Sequence, residues 1–334
     1  MINFWQKNKQ LIISLVVGII LIALWLRFID VKKMLEYFKE INLWWVIISL
    51  VIYVSAYFVR SIRWRVILKP VTNTTIVEIF SLFMAGMFVN YVVPIRAGEL
   101  AKGYFLKKTR KITMSKSLPT VFFDKMMDLL PVLLLFILIP FVARDINPIV
   151  MQLLYILLGI FIFFLLIIIF CIFKKKYASN ILKIFFVWLP KKWRLSVNNF
   201  IERFVEGMSV IKDPKIITIS LALTLLAVLL DSLYILTMFK AFGFQMAFVV
   251  ALFGYTLVNL SYILPTPPAQ IGSNEAIFVI VFTLLFGIDR NLVSATMAFA
   301  HLVSGTIIFL LGFLSLNWLG LNFSQALNLR EKSQ

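Results

Sequence analysis

One cysteine, Cys171, and one histidine, His301, are all that this chain of 334 residues has of either type. An intrachain disulfide is therefore excluded, and two such residues cannot supply the ligand set of a structural or catalytic metal site. The sequence also has no phosphate-binding Walker loop, no Gly-x-Gly-x-x-Gly dinucleotide loop and no Ser-His-Asp set. No metal and no cofactor is expected, and neither is an ATP-driven pump. Charge is scarce as well: Asp, Glu, Lys and Arg together make up 14% of the chain, against 62% hydrophobic residues. A soluble domain of this size needs more polar surface than that. The 15 acids are outnumbered by 33 Lys and Arg, for a formal charge of +18. Such a balance usually points to nucleic acid. Here the basic residues sit in short loops between apolar runs, where membrane topology and anionic headgroups account for them.

What the chain does have is apolar runs long enough to cross about 30 Å of hydrocarbon. Full spans are expected at 11–28, 43–60, 118–142, 149–173, 216–239 and 293–319. The first is preceded by Lys7 and Lys9 and lacks a small-residue cleavage site before Arg27, so it reads as a retained helix. Cys171 reads as a small apolar filler in the 149–173 span. Between 179 and 213 the chain is rich in Trp, Phe, Lys and Arg, fitting either helices in the headgroup layer or a solvated amphipathic linker.

Two further apolar regions, 75–105 and 246–286, are interrupted. The first carries Asn90-Tyr-Val-Val-Pro-Ile-Arg-Ala-Gly-Glu99, the second Asn259-Leu-Ser-Tyr-Ile-Leu-Pro-Thr-Pro-Pro-Ala-Gln-Ile-Gly-Ser-Asn-Glu275. A helix broken inside hydrocarbon leaves backbone groups unpaired, which is tolerated only inside protein or beside a wet cavity. Arg60, Arg63, Arg65 and Lys69 precede region 75–105, and Lys107, Lys108, Arg110, Lys111 and Lys116 follow it. Both flanks are cytoplasmic by the positive-inside rule, so the region is expected to be re-entrant. Lysines from 174 to 192 place the loop after 149–173 inside too, and the N- and C-termini follow. Region 246–286 then begins and ends outside. The expected fold is an all-α polytopic membrane protein with about six full transmembrane helices and two re-entrant helical hairpins. They form an inverted-topology repeat within a single transmembrane domain, 1–334. The first repeat covers about 43–142, the connecting helix and amphipathic segment 149–213, and the second repeat about 216–319. Asn90 and Asn259 stand 169 residues apart, Glu99 and Glu275 stand 176 apart. Matching broken segments in two halves point to a transporter site near the midplane.

Ionisable residues at membrane depth mark either a pathway or a pair. Asp124 and Asp128 share one helix face and fit either proton binding or an ion pair with a basic neighbour. Asp231 lies mid-span with no basic neighbour in sequence, so Arg60 or Arg63 is its expected partner, unless it stays protonated. Arg60 and Arg63 themselves either snorkel to the surface or grip a phosphate through a bidentate fork. Arg96, Glu99 and Lys102 suit one turn of a new helix after the first break. Glu99 and Glu275 either bind substrate or cap their own helices. His301 reads as a hydrogen-bonded core residue or, alternatively, a proton relay.

At these residues the chain resembles a flippase-like family of bacterial and archaeal membrane proteins, homologous to the transmembrane flippase domain of lysylphosphatidylglycerol synthases. The resemblance rests on Arg60-x-x-Arg63-Trp64, Asn90-x-x-x-Pro94-x-Arg96-x-Gly98-Glu99, the Asp124/Asp128 pair and Pro265-x-x-Pro268-x-x-x-Gly272-x-x-Glu275. It implies a translocase moving a phospholipid or a lipid-linked headgroup between leaflets of the cytoplasmic membrane. Where the family pattern has Pro-Gly-Gly, this chain has Pro268-Ala269-Gln270. No acyltransferase-type domain follows, so lysine transfer is not expected.

The resulting expectation assigns Arg60, Arg63, Asn90, Arg96, Glu99, Asn259 and Glu275 to substrate. Asp124, Asp128 and Asp231 are assigned to coupling or ion pairing. The expected partners are membrane lipids with anionic or zwitterionic headgroups, with no nucleic acid; a homo-oligomer is left open. Two other readings are an ion-coupled carrier of a small polar solute and an intramembrane glycosyl- or phospho-transferase using Asp124 and Asp128 with a metal.

Overall fold

The computed structural model describes residues 30–92, 98–135, 213–261 and 268–321, with position 27 and scattered positions from 137 to 202. Most of the expected spans 11–28 and 149–173, positions 136 and 139–142 at the end of 118–142, Arg96 and the hearts of both breaks lie outside the described residues. Every regular element described is helical, and there is no strand among them.

Side-chain caps set where the helices start. Asp30 opens α1 (Val31–Tyr37), and Asn42 Oδ1 accepts from the N–H groups of Trp44 and Trp45 to open α2 (Leu43–Leu68). The break-flanking helices are α3 (Ile76–Val92) and α4 (Gly98–Arg110), followed by α5 (Met114–Met127). The amphipathic α6 (Lys175–Ile184) presents Tyr177, Ile181 and Ile184 uncovered on one face. Asp213 caps α7 (Pro214–Ala241), which leads to α8 (Phe248–Ser261). A 3-10 turn (Pro268–Gln270) introduces α9 (Ser273–Val279), which runs on as a π-helical turn to Leu284. Asp289 caps the last helix, α10 (Arg290–Trp318).

Among the described residues three helices, α2, α7 and α10, are long and apolar enough to cross a membrane. At 1.5 Å per residue the 17 residues of α3 rise only about 25 Å, short of the ~30 Å core. The 13 residues of α4 rise about 20 Å.

The central pair is α2 with α7, packed antiparallel along most of their length. Asn42 N donates to Ala241 O at one end, Ser49 meets Thr237, Arg60 meets Asp231, and Arg63 meets Thr224 at the other. Helices α3 and α4 run antiparallel too, with Gly98 against Gly86 near the break and Arg110 paired with Glu78 at the far end. A Cβ on Gly98 would lie 2.0 Å from the Gly86 carbonyl, so the crossing needs glycine. Helix α10 lies along α3, with Phe88 filling the space left by Gly312.

Two differences from the sequence reading have clear physical causes. Helix α2 continues to Leu68 rather than ending at Arg60, because both arginines meet acidic partners inside the protein. The expected 118–142 span is not one helix: α5 stops at Met127, and a 3-10 turn (Leu130–Leu133) follows. Pro131 has no N–H for the Met127 carbonyl and crowds it, which ends the α-helical ladder there. Val132 N turns to Leu129 O at 3.0 Å, releasing the carbonyl of Asp128.

Candidate functional site

Buried arginine dictates the chemistry at the centre of the molecule. Arg63 is fully enclosed and spends its guanidinium on four acceptors: Asp124 Oδ1 at 2.8 Å, Asp124 O at 3.0 Å, Asp128 Oδ1 at 2.7 Å and Thr224 Oγ1 at 3.0 Å. One side chain thereby ties α2 to α5 and α7. Each of these bonds is charge-assisted or shielded from water, so the arrangement is rigid. The snorkelling alternative does not apply to Arg63. Its neighbour Trp64 is equally enclosed and donates through Nε1 to Thr120 Oγ1 at 3.3 Å.

Arg60, one turn earlier on the same helix, faces a different space. It forms a two-pronged pair with Asp231, one prong from Nη1 to Oδ1 at 3.2 Å and the other from Nη2 to Oδ2. Nη2 also donates to the Tyr255 hydroxyl at 3.2 Å, and Nε lies 3.5 Å from Asp128 Oδ1. Asp128 is shared further, with Lys125 Nζ at 3.3 Å. On α4, the buried Lys102 pairs with Glu99 at 2.9 Å, reaches within 4.0 Å of Asp124 and lies 3.8 Å over the Phe83 ring. Four cations, Arg60, Arg63, Lys102 and Lys125, thus face four carboxylates, Glu99, Asp124, Asp128 and Asp231. The network is neutral as a whole, which is what permits so many charges away from water.

A cavity of about 410 Å³ opens beside this network. Its charged lining is Arg60, Glu99, Lys102, Lys125, Asp128 and Asp231, and Asn90, Asn259, Gln270, Asn274, His301 and Ser304 add to the polar wall. Tyr53, Tyr57, Tyr234 and Tyr255 form an aromatic wall, with the Tyr53 ring centre 4.9 Å from those of both Tyr57 and Tyr234. Arg63, Asp124 and Glu275 stand behind the lining rather than in it. The sequence reading passed over the tyrosines. The spacing Tyr53, Tyr57, Arg60 on a single helix face was the signal available.

An asparagine stands at the start of each break, and the two are used differently. Asn90 Oδ1 accepts from Gly98 N at 2.7 Å, spanning the first break. Asn259 Nδ2 donates at 2.7 Å to the Asp128 carbonyl that Pro131 left free, so the second half holds the interruption in the first. The second break carries consecutive left-handed residues, Ala269 (φ 52°) and Gln270 (φ 61°), which glycine would adopt more easily. Glu275 Oε2 accepts from Gly272 N at 2.8 Å, so the capping role holds for this carboxylate. Its other oxygen pairs with His301 Nδ1, while His301 Nε2 faces the Ala269 carbonyl at 2.7 Å. The imidazole of α10 therefore holds the strained turn in place.

Asp124 and Asp128 are both engaged by Arg63, which occupies lone pairs that a metal-dependent transferase would need. Among the described residues no group of three or more His, Cys, Asp or Glu side chains is placed to hold a metal.

Long apolar helices around a buried charged cavity make this a multi-pass helical membrane protein. The chain belongs to the family of the lysylphosphatidylglycerol synthase TM region, whose model matches residues 11–312. Among similar proteins is a UPF0104 membrane protein of Pyrococcus horikoshii, 26% identical over 219 residues, or 62% of this chain. The match spans 64% of that relative's length, just under two thirds. A UPF0104 membrane protein of Methanothermobacter thermautotrophicus is 21% identical over 345 residues, covering 96% of this chain and 99% of the relative. No solved structure matches.

Proposed function

We propose that the chain is a lipid translocase, moving the polar headgroup of a phospholipid or lipid-linked conjugate between the leaflets of the cytoplasmic membrane. The observation that carries this reading is the charged cavity of about 410 Å³ enclosed by elements of both halves. That volume suits a polar headgroup, while the surrounding helices leave apolar surface for its tails. Membership in the lysylphosphatidylglycerol synthase TM family supports a role with lipids, and no catalytic step is assigned.

In this mechanism regions 75–105 and 246–286 are re-entrant hairpins inserted from opposite faces, in inverted repeats of about 43–142 and 216–319. Segment 149–213 joins them, and both termini are cytoplasmic. The antiparallel packing of α2 with α7 and the short lengths of α3 and α4 support this layout. An incoming phosphate takes the Arg60 fork from Asp231, because phosphate accepts the same two parallel N–H bonds. Asp231 and Asp128 then receive any cationic group of a zwitterionic headgroup. Asn90, Glu99 and Asn259 hydrogen-bond the rest, and Arg96 contributes a second phosphate contact. Arg63 and Asp124 keep the floor of the site rigid, and Glu275 positions His301. Rocking of one half against the other exposes the site to each leaflet in turn.

The test is reconstitution in liposomes containing fluorescent phospholipids, with leaflet exchange followed by an impermeant quencher. Wild type should exchange lipid well above the protein-free rate, and Asp231→Asn should fall back close to it. A carrier of small soluble solutes would leave lipid exchange at the protein-free rate in both.

A further inference from the structure

His301 is the only histidine in the chain and sits against the cavity, with each ring nitrogen committed. Nε2 faces the Ala269 carbonyl at 2.7 Å, and a carbonyl only accepts, so Nε2 carries hydrogen. Nδ1 faces a carboxylate oxygen of Glu275, and that contact needs one proton, held on either side. Without it, an imidazole lone pair points at a carboxylate oxygen. With it, α10 is bound to α9 through Glu275, and the ring is held in the orientation that keeps its Nε2–H on the 3-10 turn carrying Ala269 (φ 52°) and Gln270 (φ 61°). By contrast Asp124, Asp128 and Asp231 are each matched by a fixed cation.

We propose that His301 and Glu275 together form a single-proton site, in which the bound proton clamps the 3-10 turn Pro268–Gln270 and its release frees that turn to move. The ligand is the proton itself. Resting on the transport reading above, the site makes this protein proton-coupled: one proton is held while the turn is clamped and is released as it comes free. Among the described residues Tyr91 of α3 packs edge-on to the imidazole with ring centres 6.3 Å apart, and Gly272 N holds the second oxygen of Glu275. The same cavity is lined by Arg60, Tyr53 and Tyr57 of α2, Glu99 and Lys102 of α4, Lys125 and Asp128 at the end of α5, Asp231 and Tyr234 of α7 and Tyr255 of α8, with the charged groups already paired among themselves. As pH rises the proton leaves and the clamp opens, so mobility of the turn increases on the alkaline side.

The test needs no lipid substrate. Gln270→Cys is introduced with Cys171→Ala, leaving one thiol at the strained turn, and its rate of labelling by a water-soluble maleimide is followed from about pH 6 to about pH 9. The full-length protein is used in liposomes. Rates are divided by those of the His301→Gln version at each pH, which cancels the thiolate titration. The normalised rate should rise about tenfold toward high pH. Glu275→Gln can accept from Gly272 N and donate to Nδ1 at every pH, so it should stay slow throughout. A normalised rate flat with pH, or a Glu275→Gln version that responds like wild type, overturns the proton site. Labelling that behaves as expected while no lipid exchanges would leave the proton site standing and remove the translocase reading instead.

Discussion

Arg60 of α2 and Asp231 of α7 join two antiparallel helices through a two-pronged ion pair closed between residues 171 positions apart. The pair joins α2 to α7 and forms part of the cavity wall; in the proposed mechanism it is where a phosphate replaces a carboxylate. Removing one partner strands a charge away from water, which costs about 3–5 kcal/mol. Arg60→Gln and Asp231→Asn should therefore each lower the thermal midpoint in detergent by several degrees. The double variant should recover much of that stability and none of the lipid exchange, separating the structural role from the transport role.

Arg63 should behave differently. Its four bonds are all internal, so a lysine there keeps the charge and loses the fork. Arg63→Lys is expected to reduce stability by more than Arg60→Lys does. Arg60→Lys should instead weaken lipid exchange with little change in midpoint. Thermal scans and exchange rates measured on the same preparations check both.

The α3–α4 crossing depends on the absence of a side chain. Gly98→Ala puts a methyl 2.0 Å from a backbone carbonyl, and overpacking of this kind costs about 1–3 kcal/mol even where relaxation is possible. It also disturbs the Asn90 bond that spans the break. Gly103→Ala meets only flexible side-chain atoms, the nearest at 3.1 Å, and should be close to neutral. Folded yield on size-exclusion chromatography separates the two.

Asn259 supplies the partner for a carbonyl that Pro131 releases. Asn259→Leu leaves that carbonyl without its bond, at about 1–3 kcal/mol. The loss should shrink in a Pro131→Ala background, where the α5 ladder can continue past Asp128. A double-mutant cycle by chemical denaturation gives the coupling.

Much of this site was legible in the sequence because charges in apolar runs cannot stand alone. Arg60 and Arg63 were foreseen as partners for Asp231, and Arg60 fills that place. Arg63 went to Asp124 and Asp128 because three residues along the helix point it about 60° away from Arg60, and spacing alone does not decide which partner lies there. The end of the 43–60 span was set too early, since a run of arginines reads as a membrane boundary until its buried acids are seen. Pro131 was visible, but its effect was lost in an otherwise apolar stretch. The tyrosine wall carries no charge, so its one signal, the helical spacing of Tyr53 and Tyr57 with Arg60, was passed over.

Photo-crosslinking from the cavity wall tests the account most directly. A photoreactive amino acid in place of Tyr57, activated in native membranes, should capture a lipid whose adduct retains a phosphate-bearing headgroup, and Asp231→Asn should abolish the capture. The same probe at Leu314, exposed on the outer face of α10, should capture acyl chains without preference. Identical adducts at both positions, or a water-soluble solute alone at position 57, would contradict a headgroup site inside this protein.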